Sequence, residues 1–313
     1  MKKYVSIALA MFLFTSAFAQ SQRVNELQLE RFTTVSVGDY FKVKLVSSPY
    51  YSVRFNTDER IATLVSATVK KGVLTIDLDE KGYSAELKKA LKGKDAVQPV
   101  LDVEVYMPTI EELVLSDKAV LVGDYVIRSA EFALKVKGHA SISQLRMECA
   151  SAGMEVSNSA QVGVDAVISN TMTIKAANSA QLLLAQKGGK IELDVNGSSI
   201  VKTNTTVSEI LTEASGTCEV HMTGLASLLM IEASGSSLIN AEALETVDAD
   251  VIQSGSSDCF VNATEDLKVN LTGGSKLTFS RNPRIQVDRI VSATMLRADD
   301  VKKKNKNKNK NKN

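Results

Sequence analysis

The residues of this chain with the most regular chemical spacing are hydroxyls. Ser159, Ser179, Ser198, Thr217, Ser236 and Ser256 recur every 19 or 20 residues. A hydroxyl offers one donor and two acceptor lone pairs, so a stack of them suits a repeating polar ligand such as a glycan, or a protein surface. Small hydroxyls also suit tight corners, whose backbone groups they can satisfy locally. The sequence leaves both readings open, and these six residues form the candidate binding face.

Other chemistry is poorly supplied. Acid–base attack on a polysaccharide needs two carboxylates brought together. Counted from the residue before each of those hydroxyls, Asp165 falls at plus seven, Asp194 at minus three, Asp248 at minus seven, Asp250 at minus five and Asp258 at plus three. No two share a position. His139 and His221 sit one and five after their own reference residues, four copies apart, and read as solvated surface residues. The absence of Trp and only 5% aromatic residues weaken a sugar-stacking cleft. Cys149, Cys218 and Cys259 are too few and scattered for a disulfide framework. They read as buried thiols acting as small hydrophobes, with one bridge and a leftover thiol as the alternative. No grouping has metal-ligand spacing, and no catalytic residue, metal or cofactor is expected.

The elements that would carry the hydroxyls follow from the residue before each one. With its equivalents upstream and downstream it forms the series Asp117, Gly138, Asn158, Asn178, Gly197, Gly216, Gly235, Gly255 and Gly273. Only Gly, Asn and Asp occur, the residues that tolerate positive φ, so each is read as a corner. Nine copies at about twenty residues mark a solenoid. Positions two and four before the corner are mostly apolar (Leu134 and Val136, Ile231 and Ala233), position two after it is small (Ala119 to Ser275), and position four after it is apolar (Leu121 to Leu277). Period two places all four columns on one face of extended strands, and β-branched residues argue against helix. The predicted fold is all-β: a right-handed, single-stranded parallel β-helix of about nine coils, its hand taken from the crossover rule. At about 4.8 Å per coil it is a rod of roughly 40 Å.

Around residues 111–280, which hold the repeat, stand other segments. Lys2 and Lys3, an apolar run from Tyr4 to Phe14, and Ala17-Phe18-Ala19 read as a signal peptide over 1–19, cleaved before Gln20 and without a nearby cysteine for lipidation. Residues 20–110 read as a β-rich N-terminal cap that is out of register with the repeat. Strands are expected at Phe32 to Val37, Tyr40 to Val46, Tyr50 to Phe55, Val65 to Val69, Val73 to Leu78 and Val100 to Tyr106, and an insertion at 79–98 contains a short helix over Ala85 to Leu91. Residues 281–301, lacking the Gly/Asn/Asp corner, read as a C-terminal cap that closes an exposed sheet edge. Residues 302–313 (KKKNKNKNKNKN) carry seven Lys and no apolar residue, which predicts a disordered tail able to make weak electrostatic contact with an anionic membrane surface or with the body. Setting aside the seven tail and two leader lysines from 37 basic residues leaves 28 against 36 acidic ones. An acidic body argues against nucleic acid as partner.

The export signal, the lead-in Val73-Leu74-Thr75-Ile76, the strand ending in Met107-Pro108 and the Ser-Gly-Ser-Ser units at 234–237 and 254–257 together resemble the Bacteroidetes family of putative auto-transporter adhesin head (GIN) domains, a family of unknown function, over about Phe32 to Ser280. The resemblance implies a β-helical, non-enzymatic envelope protein with an adhesive role, and carries no catalytic residues to this chain. Asp117 and the two Asn corners, the insertion and the Lys/Asn tail depart from the family pattern. The expected function is therefore an exported binding protein of the periplasm or cell surface, presenting its Ser/Thr face to a glycan, host-protein or envelope partner. A periplasmic scaffold without a small ligand is the alternative, and a polysaccharide-active β-helix enzyme a further one.

Overall fold

All four predicted columns are buried along their whole length, from Leu113, Leu115, Ala119 and Leu121 at one end to Val269, Leu271, Ser275 and Leu277 at the other. The computed structural model describes residues 22–92 and 99–300, and over these the chain is a parallel β-solenoid of about ten turns. Like residues stack on like: Leu134 pairs with Leu113 below and Met154 above, and Ile231 with Thr212 and Val251. Each buried aliphatic side chain withdraws about 1.5–3 kcal/mol worth of apolar surface from water, and the repeat makes that core continuous.

Every predicted corner has positive φ, from Asp117 (58°) through Asn158 (62°) and Asn178 (67°) to Gly273 (71°). Backbone ladders stack tightly here. The N–H after one corner donates to the carbonyl of the corner one coil earlier, as in Ser236 N to Gly216 O at 2.7 Å and Thr217 N to Gly197 O at 2.8 Å. The small buried column has its own local use. At three of its four serines the hydroxyl closes the turn by donating to the carbonyl three residues back: Ser199 to Asn196, Ser237 to Ser234 and Ser257 to Ser254, at 2.9–3.0 Å, whereas Ser275 Oγ is buried with no partner among the described residues. Gln253 breaks the apolar pattern and is fully buried, its Nε2 donating to the carbonyls of Ser257 and Lys276.

The N-terminal segment differs from expectation. Its strands are β1 (Gln22–Gln28), β2 (Thr34–Val37), β3 (Lys42–Ser47), β4 (Ser52–Asp58), β5 (Val65–Lys70), β6 (Val73–Leu78), β7 (Leu101–Met107), β8 (Glu112–Leu115) and β9 (Val120–Val122). β2 and β3 form a turn of the solenoid in register with the repeat: Val37 pairs with Leu115, Val43 with Leu121, and Asp39 takes positive φ (52°) beneath Asp117. β6 and β7 pair parallel with β2 and β3 on the other side. Between them the insertion replaces the corner, and its helix α1 (Ala85–Ala90) begins at Ser84, whose Oγ accepts from Leu87 N at 3.1 Å. Beyond, pairing turns antiparallel, β5 on β6, β4 on β7 and β1 on β4.

The C-terminal segment is also a turn of the stack. Strand Arg284–Val291 pairs parallel with Ala263–Thr272, strand Thr294–Arg297 with Lys276–Phe279, and Ser292 between them has φ 56°. It escaped the sequence reading because serine is not one of the residues that usually mark such a corner. Ile285, Val287 and Ile290 continue the buried columns of Leu267, Val269 and Leu271 but are 41–51% exposed, because no further described coil lies on them. The leader at 1–19, residues 93–98 of the insertion and the tail at 302–313 lie outside the described residues.

Candidate binding face

Ser159, Ser179, Ser198, Thr217, Ser236 and Ser256 each follow a positive-φ corner, so their side chains leave the turn on the side away from the core. All six are exposed. Register between neighbouring coils aligns them as one column: the strands starting two residues after each hydroxyl pair as Gln161 with Gln181, Gln181 with Ile200, Ile200 with Glu219, Glu219 with Leu238, and Leu238 with Asp258. Lys118 and His139 continue the column toward the N-terminus, and Gly274 ends it.

The corner backbone is satisfied by the neighbouring corner, with 2.5–2.9 Å bonds from the six N–H groups to the carbonyls of Gly138, Asn158, Asn178, Gly197, Gly216 and Gly235. The hydroxyls are not needed for that purpose. Ser198 and Thr217 share a 2.9 Å hydrogen bond, and Thr217 Oγ1 also donates to Gly197 O at 3.4 Å. Among the described residues the hydroxyls of Ser159, Ser179, Ser236 and Ser256 have no protein partner, and they stand open to water or a ligand. Beneath them, Asn178 Nδ2 donates to Asn158 Oδ1 at 3.0 Å, fixing the two Asn corners to one another.

The carboxylates are arranged otherwise than the aspartates alone suggested. Asp194 stacks in register on Glu213, and Glu213 on Glu232. Residue type alone hides this column, which mixes one aspartate with two glutamates. Glu213 and Glu232 are exposed beside an open groove of about 230 Å³, without the enclosed pocket that holds a substrate against a catalytic pair. Asp165 and Asp258 stand elsewhere. Asp248 pairs with Asp266, whose carboxylate meets Arg284, and Asp250 meets Lys268. His139 is exposed, while His221 is half-buried with Nε2 3.5 Å from Glu219 Oε2; the two are not brought together. Among the described residues no group of three or more His, Cys, Asp or Glu could hold a metal ion.

Cys149, Cys218 and Cys259 are all free and buried, and burial pushes each thiol above its usual pKa. The thiolate that reacts or ligates is thereby disfavoured. At the N-terminal end, burial likewise raises the pKa of the Asp39 carboxyl above the ordinary value of 3.8, outweighing the 3.1 Å hydrogen bond it accepts from Leu78 N.

Solved structures resemble this one. A putative adhesin from Parabacteroides merdae ATCC 43184 shares 14% identity over 90% of this chain and 97% of its own, with a TM-score of 0.50. A putative lipid binding protein (17% identity, TM-score 0.48) and a putative adhesin (16%, 0.41), both from Parabacteroides distasonis ATCC 8503, each cover 90% of this chain and 98% of their own. At 14% identity the likeness to the Parabacteroides merdae protein is one of fold. Among curated proteins there is no match. A family model described as "Putative auto-transporter adhesin, head GIN domain" matches twice, over residues 31–186 and 145–283, spanning the solenoid from its first turn to its tenth corner. That span covers most of the chain, and the protein belongs to the auto-transporter adhesin head (GIN) domain family.

Proposed function

We propose that this protein is an exported, non-enzymatic adhesin-like component of the cell envelope that offers its corner column to a glycan or protein partner. The observation that carries the reading is the exposed, in-register column from Ser159 to Ser256, in which four of six hydroxyls lack a protein partner among the described residues while the backbone beneath is already satisfied. A rigid scaffold holds these groups at a repeat of about 4.8 Å, so a ligand with repeating hydroxyls or amides meets several preorganised partners at once. Family membership supports the adhesin-like role, and the Lys2 to Ala19 leader supports export.

The test has two parts. Protease treatment of intact cells should digest the protein while a periplasmic control survives. A glycan array should then find a ligand whose binding falls at least about tenfold when Ser179, Ser236 and Ser256 are all replaced by Ala, the loss expected from a few hydrogen bonds of about 1 kcal/mol each. Protection of the protein in intact cells would remove the surface placement. Ligand binding unchanged in the triple variant would remove the column as the binding face.

A further inference from the structure

The outer face of the sheet leading into the corners carries a column of charge three residues before six consecutive corners, Gly138 to Gly235. In register along the rod stand Lys135, Glu155, Lys175, Asp194, Glu213 and Glu232. Signs alternate through the first four, and the pattern then fails, with three acids in succession at about 4.8 Å per coil. Like charges directly opposite one another destabilise a ladder. Several other acids on this face meet a basic side chain from a neighbouring coil: Glu112 meets Lys135 at 2.8 Å, Glu209 meets Lys190 at 2.9 Å, and Asp250 meets Lys268 at 3.7 Å, while Glu192 accepts from Thr173 Oγ1 at 3.2 Å. Among the described residues no basic nitrogen lies within 4.0 Å of the carboxylate of Asp194, Glu213 or Glu232, although Lys175 stands beside Asp194 in register. The three line an open groove together with Ser215 and Ser234.

We propose that this sheet face is the docking surface for the chain's own residues 302–313. The charge is complementary: the segment carries seven lysines and no acid, and from Lys304 to Lys312 lysine alternates with asparagine. In an extended chain that alternation brings every ammonium to one side, about 6.8 Å apart, within side-chain reach of the three carboxylates. The asparagines on the other side keep the segment soluble. Position agrees as well. Described structure ends at Asp300, one short helical stretch after strand Thr294–Arg297, at the point where the coils from β7 onward turn back into this sheet. The terminal corner is Ser292, and Glu232, Glu213 and Asp194 belong to the third, fourth and fifth coils before it, about 14 to 24 Å along the rod. Twelve extended residues span roughly 40 Å, enough to cross the sheet and run along the column. Docking in cis needs only weak pairs, because the linkage supplies a high effective concentration.

Zero-length carbodiimide cross-linking of the full chain tests the contact. Lysines of residues 302–313 should join to Glu213 and Glu232 within the monomer, and the products should vanish at about 1 M salt, where the screening length falls to about 3 Å. Links spread evenly over the acidic residues, links only between molecules, or none at low salt would each overturn the proposal. Trypsin gives a second readout. Asp194→Asn/Glu213→Gln/Glu232→Gln should melt with the parent yet lose its terminal lysines roughly threefold faster or more, as three exposed ion pairs are released. Equal cleavage rates, with protection conferred only by vesicles containing phosphatidylserine, would make the segment a membrane-binding one and refute docking in cis.

Discussion

Replacing Gly235 by alanine probes the corner stack directly. Gly235 has φ +70°, and a Cβ built there lies 2.7 Å from Gly216 O and 2.9 Å from Gly216 N. Left-handed backbone costs an L-residue about 1–2 kcal/mol. The methyl also presses on the carbonyl that accepts from Ser236 N at 2.7 Å, a hydrogen bond with a net contribution of about 1 kcal/mol. Against these stands the 0.4–1 kcal/mol that alanine gains by restricting the unfolded chain. The net destabilisation is therefore about 1–3 kcal/mol, which for a chain of this size lowers Tm by roughly 2–5 °C. Gly153→Ala is the matched control: its φ is not positive, and nothing lies within 4 Å of the added Cβ, so it should be neutral or mildly stabilising. Thermal melts of both variants, followed by circular dichroism, measure the difference. Equal melting temperatures for the two would show that the corners do not constrain the fold as argued.

Two further substitutions test the core and the first corner. Ala160→Leu forces a larger side chain into a fully buried column of small residues and should cost about 1–3 kcal/mol by denaturant titration; an unchanged midpoint would contradict the inward placement of that column. Asp39 has a raised folded pKa because burial disfavours its charge, so its contribution is fully present below its unfolded pKa and is lost as pH rises through the folded one. Asp39→Asn keeps a residue that tolerates positive φ and an oxygen for Leu78 N, and should flatten the fall in stability as pH rises above about 3.8; melts at pH 3 to 7 that run parallel to the parent would exclude this origin.

The solenoid was legible in the sequence because its rule is local and repeated. Small corners, four inward columns and a period near twenty fix which side chains are buried, and burial followed without exception even at Gln253 and Thr212. Where the spacing broke, the reading failed. Asp39 lies 78 residues before Asp117 because β4 to β7 and the insertion intervene, so a corner of the same stack looked like part of a cap. Ser292 lacked the expected residue type. At the candidate face, exposure of the six hydroxyls followed from their place beside the corners, but the bond between Ser198 and Thr217 did not. It depends on rotamers chosen across two coils, which residue type alone does not set. The acidic column was missed for a simpler reason: it mixes Asp194 with two glutamates, and only register, not residue identity, shows that they share a line.

The one-sided pairing of strand Arg284–Val291 has a mechanical consequence. Pulled along its axis from that end, the described rod presents its most weakly held seam first, since among the described residues that strand has one neighbour where inner strands have two. Each coil that peels away exchanges about 4.8 Å of rise for roughly 65–70 Å of extended chain from its 20 residues. The coil beneath is then left with the same single neighbour and yields in turn. Such a molecule lengthens in steps under load instead of breaking at one point, and it dissipates work at every step while the opposite end stays folded.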